Sequence, residues 1–355
     1  MTFGPHHYVP VLKVKRGEKS ALSSTSRGTQ QRITPLLEIV ERKPDKSPTV
    51  DAHLKTAFKG LADSVRSYSR CFLDAREIAN EGPTAAAEVF RRAAAEGINF
   101  APVTGLSRSV DIDAALSHRT HGLVLRLTRE EFEAGGLATN LRAFMNRHSL
   151  APEEIDLFID LGPVDDMVTD GVVALTNAFM ADVPDQTRWR TFTVSACAFP
   201  MGMGGIDRHS HHLVERADWV AWRNNLHSQR TTLPRLPTFS DCVIQHPRGV
   251  EGFDPRMMQV SASIRYTLVD DWLLLKGEST RITPPTTQFP ALATLLVYGH
   301  LKPHFAGQGH CDGCASMKAS ADGASGLGSA EVWRRLGTIH HITTAVKQLG
   351  LLPWS

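Results

Sequence analysis

Eight short apolar runs recur through the first 250 residues, and amphipathic or Ala-rich stretches separate them. The runs are VPVLKVK (9–15), ITPLLEIV (33–40), CFLDAR (71–76), INFAPV (98–103), LVLRL (123–127), IDLFIDL (155–161), TFTVSAC (191–197) and TFSDCVI (238–244). Runs this short and this rich in Val, Ile, Leu and Phe suit strands covered on both faces, as in a parallel sheet. Between them, 53–68 places Leu54, Phe58, Leu61 and Val65 on one stripe,. The stretch 84–97 follows Pro83 and stops at Gly97, and 111–119, 137–148 and 169–183 also read as helices,. The segment 211–228 is read as a helix from the spacing of Leu213, Ala217 and Val220.

Strict alternation implies parallel strands joined by right-handed crossovers. Eight units of this size predict a (β/α)8, TIM-like barrel over residues 1–250. No glycine-rich phosphate loop follows the first run, which argues against an open dinucleotide-binding sheet, and no motif names a cofactor,. After residue 250 the rhythm changes. Residues 262–278 read as two strands around Val269-Asp270-Asp271, 289–301 as a helix and 304–329 as a Gly- and Ser-rich loop. The stretch 329–352 reads as one or two helices, capped by Ser329 and broken at Gly337,. Residues 251–355 are therefore expected to form an α+β extension, a hairpin plus helices, packed on the barrel.

Composition narrows the classes. A formal charge of +2 is too small for a strong non-specific field, and the basic residues lie scattered among acids,. Nucleic acid is thus not an expected partner. No stretch approaches the ~20 apolar residues that cross a bilayer. The start MTFGPHHYVP has neither a basic n-region nor an apolar h-region,. Five cysteines, three of them inside apolar runs, suggest buried thiols in a reducing compartment,. A cytoplasmic location is expected.

Charges inside strands are costly unless they are paired or line a site. Side chains alternate along a strand, so parity sorts them. Lys13 and Lys15, Glu38, Asp74 and Arg76, Arg126, Asp160 and Asp241 each share a face with apolar residues of their run, mostly near its C-terminal end. In a barrel that end carries the active site. These eight residues are the candidate catalytic set. Lysines beside carboxylates can act as bases or Schiff-base nucleophiles, paired carboxylates as acid and base or as Mg²⁺ ligands, and arginines as holders of phosphate or carboxylate. A small anionic ligand is the expected partner. The competing reading is a buried ion-pair layer without a chemical role.

In the tail, His310-Cys311-Asp312-Gly313-Cys314 holds a C-x-x-C, with His304 before it and His340-His341 after it. Cys311 and Cys314 could complete a zinc site with two imidazoles. A flexible loop that happens to hold two thiols is the plainer reading, and no metal is expected.

The order of these motifs resembles the phage "Beta protein" family. YVPVLKVKRGEKSAL followed by RITPLLEIVE carries the likeness. So do FLDAR, APVTGL, LVLRL, IDLFIDLG, TFSDCVIQHP, SIRYT with LLLKGE, and WRRLGTIHHITTAVKQL. The resemblance spans nearly the whole chain and brings no established biochemical activity. Occurrence in phages and bacteria implies a role in phage–host conflict or antiviral defence, through either a small ligand or a partner protein. It adds weight to Lys13, Lys15, Glu18, Glu38, Tyr266 and Trp333. It also marks Arg265, Arg334, His340 and His341 as candidate substrate-binding residues. It implies that Cys311 and Cys314 are not family features, which counts against zinc. Packing of Trp333 and Ile339 is the structural alternative for the WRRLGTIHHI segment.

Overall fold

Each apolar run becomes a strand, because burial on both faces rewards Val, Ile, Leu and Phe at every position. The computed structural model describes residues 3–4, 6–249 and 261–354. Its strands are β1 (Tyr8–Lys13), β2 (Leu36–Glu38), β3 (Cys71–Asp74), β4 (Phe100–Thr104), β5 (Leu123–Thr128), β6 (Ile155–Pro163), β7 (Thr191–Cys197), β8 (Ser210–Glu215), β9 (Thr238–Asp241), β10 (Ser261–Thr267) and β11 (Asp271–Ser279). Strands β1 to β7 and β9 close into one parallel barrel, with β9 pairing back onto β1 at Tyr8↔Phe239. Helices connect the strands, and this is the (β/α)8 architecture.

The barrel interior is layered. Val9, Val11, Leu36, Phe72, Ala101, Val103, Val124 and Phe158 form an apolar band across its middle. At the N-terminal end, Asp156 accepts hydrogen bonds from Arg70 Nη2 at 2.8 Å, Arg190 Nε at 3.1 Å and Thr191 Oγ1 at 2.7 Å. Those groups are buried or nearly so and plug that end. At the C-terminal end the strand register sets Lys13 beside Glu38 and Glu38 beside Asp74. The outward positions, such as Leu12, Leu37, Leu73, Leu125 and Ile159, pack under the helices in the main core.

The extension is an α+β unit. Its three-stranded antiparallel sheet has the order β10-β11-β8. Ile264, Tyr266, Leu273, Leu275, Phe289, Met317, Trp333 and Leu336 form a second core under it. The C-terminal helix Ala330–Leu351 inserts Ile342, Ala345, Val346 and Leu349 into the main core and so docks the unit on the barrel. The expected boundary at residues 250 and 251 lies outside the described residues.

Several local expectations are corrected. Residues 211–228 are not one helix: Ser210–Glu215 is an edge strand of the extension's sheet, and helical turns cover only 217–227. The stretch 53–68 is two helices, Val50–Phe58 and Leu61–Val65, separated at Gly60 with φ +72°. The 304–329 segment is not only loop, because Asp312–Ala321 is a helix that buries Cys314 and Met317. Gly337 does not break the last helix. A Cβ there would stand 2.8 Å from the Arg265 carbonyl oxygen, so glycine lets β10 approach the helix closely,. Among the described residues, no helix is long and apolar enough to cross a membrane.

Candidate functional site

The C-terminal end of the barrel opens into a cavity of about 1150 Å³. Lys13, Lys15, Glu38, Asp74, Arg76, Arg126 and Asp160 all line it. Strand parity brings these side chains together from β1, β2, β3, β5 and β6 or from the residues just after them.

Arg126 is the hub. Its Nη1 donates to Glu38 Oε1 at 2.7 Å and to Asp74 Oδ2 at 2.8 Å, and its Nη2 lies 2.6 Å from Asp160 Oδ2. The guanidinium also stands 5.7 Å from the centre of the Phe158 ring, at the edge of the apolar band. Asp74 is shared with Arg108 Nη2 at 2.7 Å, and Arg108 Nε continues to Asp111 at 2.9 Å. Bonds between ionised partners in a dry site are strong, and together they make this part of the wall rigid. Lys13 is also engaged, at 2.9 Å from Glu77 Oε1.

These partners pull two carboxyls apart in acidity. Burial pushes Asp74 up, but Arg108 and Arg126 outweigh it and hold the group below the usual carboxylate range. Burial also dominates at Glu38. There Arg126 is offset by the neighbouring Glu77 and Asp74, and the carboxyl is raised. Adjacent acids driven in opposite directions are the arrangement that separates a proton donor from a permanent anion.

Lys15 lies beyond the end of β1, as the residue preceding helix Arg16–Ser24. Burial lowers its pKa, with Lys13 and Arg334 adding to the shift and Glu18 opposing it. Gln245 bridges this corner. Its amide nitrogen lies 2.9 Å from Glu18 Oε1 and its oxygen 3.2 Å from Lys15 Nζ. Arg334 and Thr338 of the C-terminal helix reach the same corner and form a crevice with Lys13, Glu18, Glu38 and Gln245. Arg76 is exposed in the main cavity. Among the described residues, neither Lys15 nor Arg76 has a carboxylate within ion-pair distance.

Asp241 does not belong to this set. On β9 and just after it the small residues Ser240 and Cys242 face inward, whereas Phe239 and Val243 pack in the outer core. Asp241 lies on that outer face, fully buried, where it accepts from the Tyr8 hydroxyl, from His341 Nε2 at 3.0 Å and from Val243 N at 2.9 Å. Val243 has φ +60°, a costly conformation for a β-branched residue, and Asp241 holds that turn in place,. The turn sends Gln245, Pro247 and Arg248 to the cavity rim.

The four candidate substrate-binding residues divide. Arg334 lines the crevice. Arg265 is spent on the Ile244 carbonyl at 2.7 Å and on the Phe199 ring. His341 faces Asp241, and His340 faces Cys311 and Cys314 in the extension. None of these three lines the cavity. Sequence reading missed Arg108, which sits in a loop, and Asp156, whose parity with Phe158 and Asp160 marked it as inward.

A comparison with curated proteins found no match. Among solved structures, the chain is similar to the YdjI aldolase from Escherichia coli K12. That likeness covers 99% of this chain and 98% of the other, at 9% identity and a TM-score of 0.31. The family model described as Beta protein matches residues 8–347. The chain therefore belongs to the Beta protein family.

Proposed function

We propose that the barrel mouth binds a small molecule bearing a phosphate or carboxylate group and presents it to Lys15 and Glu38. One observation carries this reading. Of the cavity's charges, Arg126 and Lys13 are satisfied by carboxylates, whereas Lys15 and Arg76 face the same open volume without one among the described residues. Cations left unpaired at a concave site attract an anion, and a guanidinium can hold two of its oxygens at once. Glu38, which keeps its proton more readily than an ordinary carboxyl, and Lys15, which gives its proton up more readily, supply an acid and a base beside the bound anion,.

Calorimetric titration tests the reading, with inorganic phosphate and a panel of phosphorylated and carboxylated metabolites. Binding is expected, and Lys15→Ala and Arg76→Ala should each weaken it by about tenfold or more, equivalent to about 1.4 kcal/mol. Lys55→Ala, on an exposed helix face, should not change it. Unchanged binding in folded Lys15→Ala and Arg76→Ala proteins, or no binding by any of the anions, would refute the proposal.

A further inference from the structure

We propose that Cys311, Cys314 and His340 form a zinc site in the extension, separate from the barrel cavity and independent of its function. The three ligand atoms lie within 4.8 Å of one another. His340 Nδ1 is 3.2 Å from Cys314 Sγ and 3.9 Å from Cys311 Sγ. Zinc–sulfur bonds of about 2.3 Å and zinc–nitrogen bonds of about 2.0 Å at tetrahedral angles set sulfur and nitrogen about 3.5 Å apart. The observed separations straddle that value.

The local fold accounts for the convergence. Cys311 caps helix Asp312–Ala321, and its Sγ accepts from the Cys314 N–H at 3.3 Å, which turns both thiols to one side of the first turn. Gly313 lies between them. A Cβ there would stand 2.5 Å from the Leu336 carbonyl oxygen, so glycine lets this turn press against the C-terminal helix that carries His340,.

The surroundings of His340 are those of a metal-binding imidazole. Its Nε2 donates to the Thr267 carbonyl oxygen at 2.8 Å, which leaves the lone pair of Nδ1 facing the thiols,. The Tyr266 ring stacks on the imidazole with centroids 3.9 Å apart, and the Tyr266 hydroxyl lies 3.4 Å from Cys314 Sγ. The His310 ring centre lies 5.1 Å from that of His340, and Cys311 is only half-buried.

Two thiolates and an imidazole select zinc over magnesium or calcium, and binding releases whatever protons the two sulfurs still hold. A C-x-x-C at a helix start also suits a dithiol–disulfide couple. An imidazole lone pair aimed between the two sulfurs favours the metal. Zinc here would tie helix Asp312–Ala321 to the C-terminal helix beside the end of β10.

The test uses the full chain. Purified protein loaded with zinc and desalted should retain about one equivalent. Cobalt in its place should show a thiolate charge-transfer band and the intense visible bands of a tetrahedral site. Cys311→Ser and His340→Ala should lose the metal, whereas His304→Ala should keep it. Tyr266→Phe, which preserves the stacked ring, should weaken affinity about 10- to 100-fold, as loss of an outer partner does. The cobalt spectrum needs no variant, so misfolding of a variant does not spare the proposal. Wild-type protein that keeps no zinc after loading and gives no cobalt–thiolate band would overturn it, whether its two thiols are free or joined as a disulfide.

Discussion

Arg126 answers to three carboxylates on three other strands, and this makes it the residue on which the barrel mouth depends most. Truncation would leave Glu38, Asp74 and Asp160 without their common cation. Removing one partner from buried charges costs about 3–5 kcal/mol, so Arg126→Met should lower the denaturant midpoint by a corresponding amount at pH 7. The pH dependence is a second signature. In the wild type Asp74 is held below its ordinary pKa, so its contribution is present above the unfolded value of 3.8 and fades as acid protonates it,. In the variant Asp74 keeps Arg108, but Glu38 loses the cation that opposes the effect of its burial, so its carboxyl should be raised further and stability should then rise as the pH falls toward 4,. The gap between the two proteins should narrow in acid, and a gap constant from pH 7 to pH 4 would contradict the hub role. At this scale parity made Lys13, Glu38, Asp74, Arg126 and Asp160 legible, since each follows an inward apolar residue by two. It failed at Asp241, because a polar residue was taken to mark the inner face. The bulky apolar residues of these strands mark the outer face as often, and on β9 the inward positions hold the small Thr238 and Ser240, followed by Cys242.

Among elements, the C-terminal helix does the most joining. Its His341 reaches Asp241 at the end of β9, its Arg334 reaches the crevice, and its Leu349 end packs in the main core. Asp241→Ala would strip partners from the Tyr8 hydroxyl, the His341 ring and the Val243 N–H at once, all of them buried. Each orphaned group costs about 1–3 kcal/mol. The expected outcome is a loss of about 3 kcal/mol or more in chemical denaturation, and a loss below about 1 kcal/mol would show that Asp241 does not hold the turn. The barrel strands were legible because both of their faces are buried and most of their positions are apolar. Strand β8 was not. It is an edge strand, mostly exposed, paired only with β11, which lies more than fifty residues away in sequence. Leu213 on the strand and Ala217 and Val220 on the helical turns after it fall at a spacing that imitates one helix. Helix Asp312–Ala321 escaped for a related reason: small residues give it little periodicity, and its burial comes from the close approach at Gly313.

In the whole molecule, an apolar band separates two charged layers of the barrel. The lower layer, around Asp156, is closed by Arg70 and Arg190 and reads as stability,. The upper layer is open, and in it Lys15 and Arg76 have no carboxylate partner among the described residues. The extension, through Arg334, lines the crevice beside that opening. The sequence carried the barrel and the level of the charges. It did not carry which charges were already neutralised, because that depends on pairs such as Arg108–Asp74 that span strands and loops. The most direct test is to label the lysines with pyridoxal phosphate, an aldehyde that also bears a phosphate. After borohydride reduction, the modified sites are mapped by mass spectrometry with and without inorganic phosphate. Lys15 should be modified ahead of the exposed surface lysines, and phosphate should protect it. Modification spread over the surface lysines in proportion to their exposure, with no protection at Lys15, would contradict an anion site at the barrel mouth.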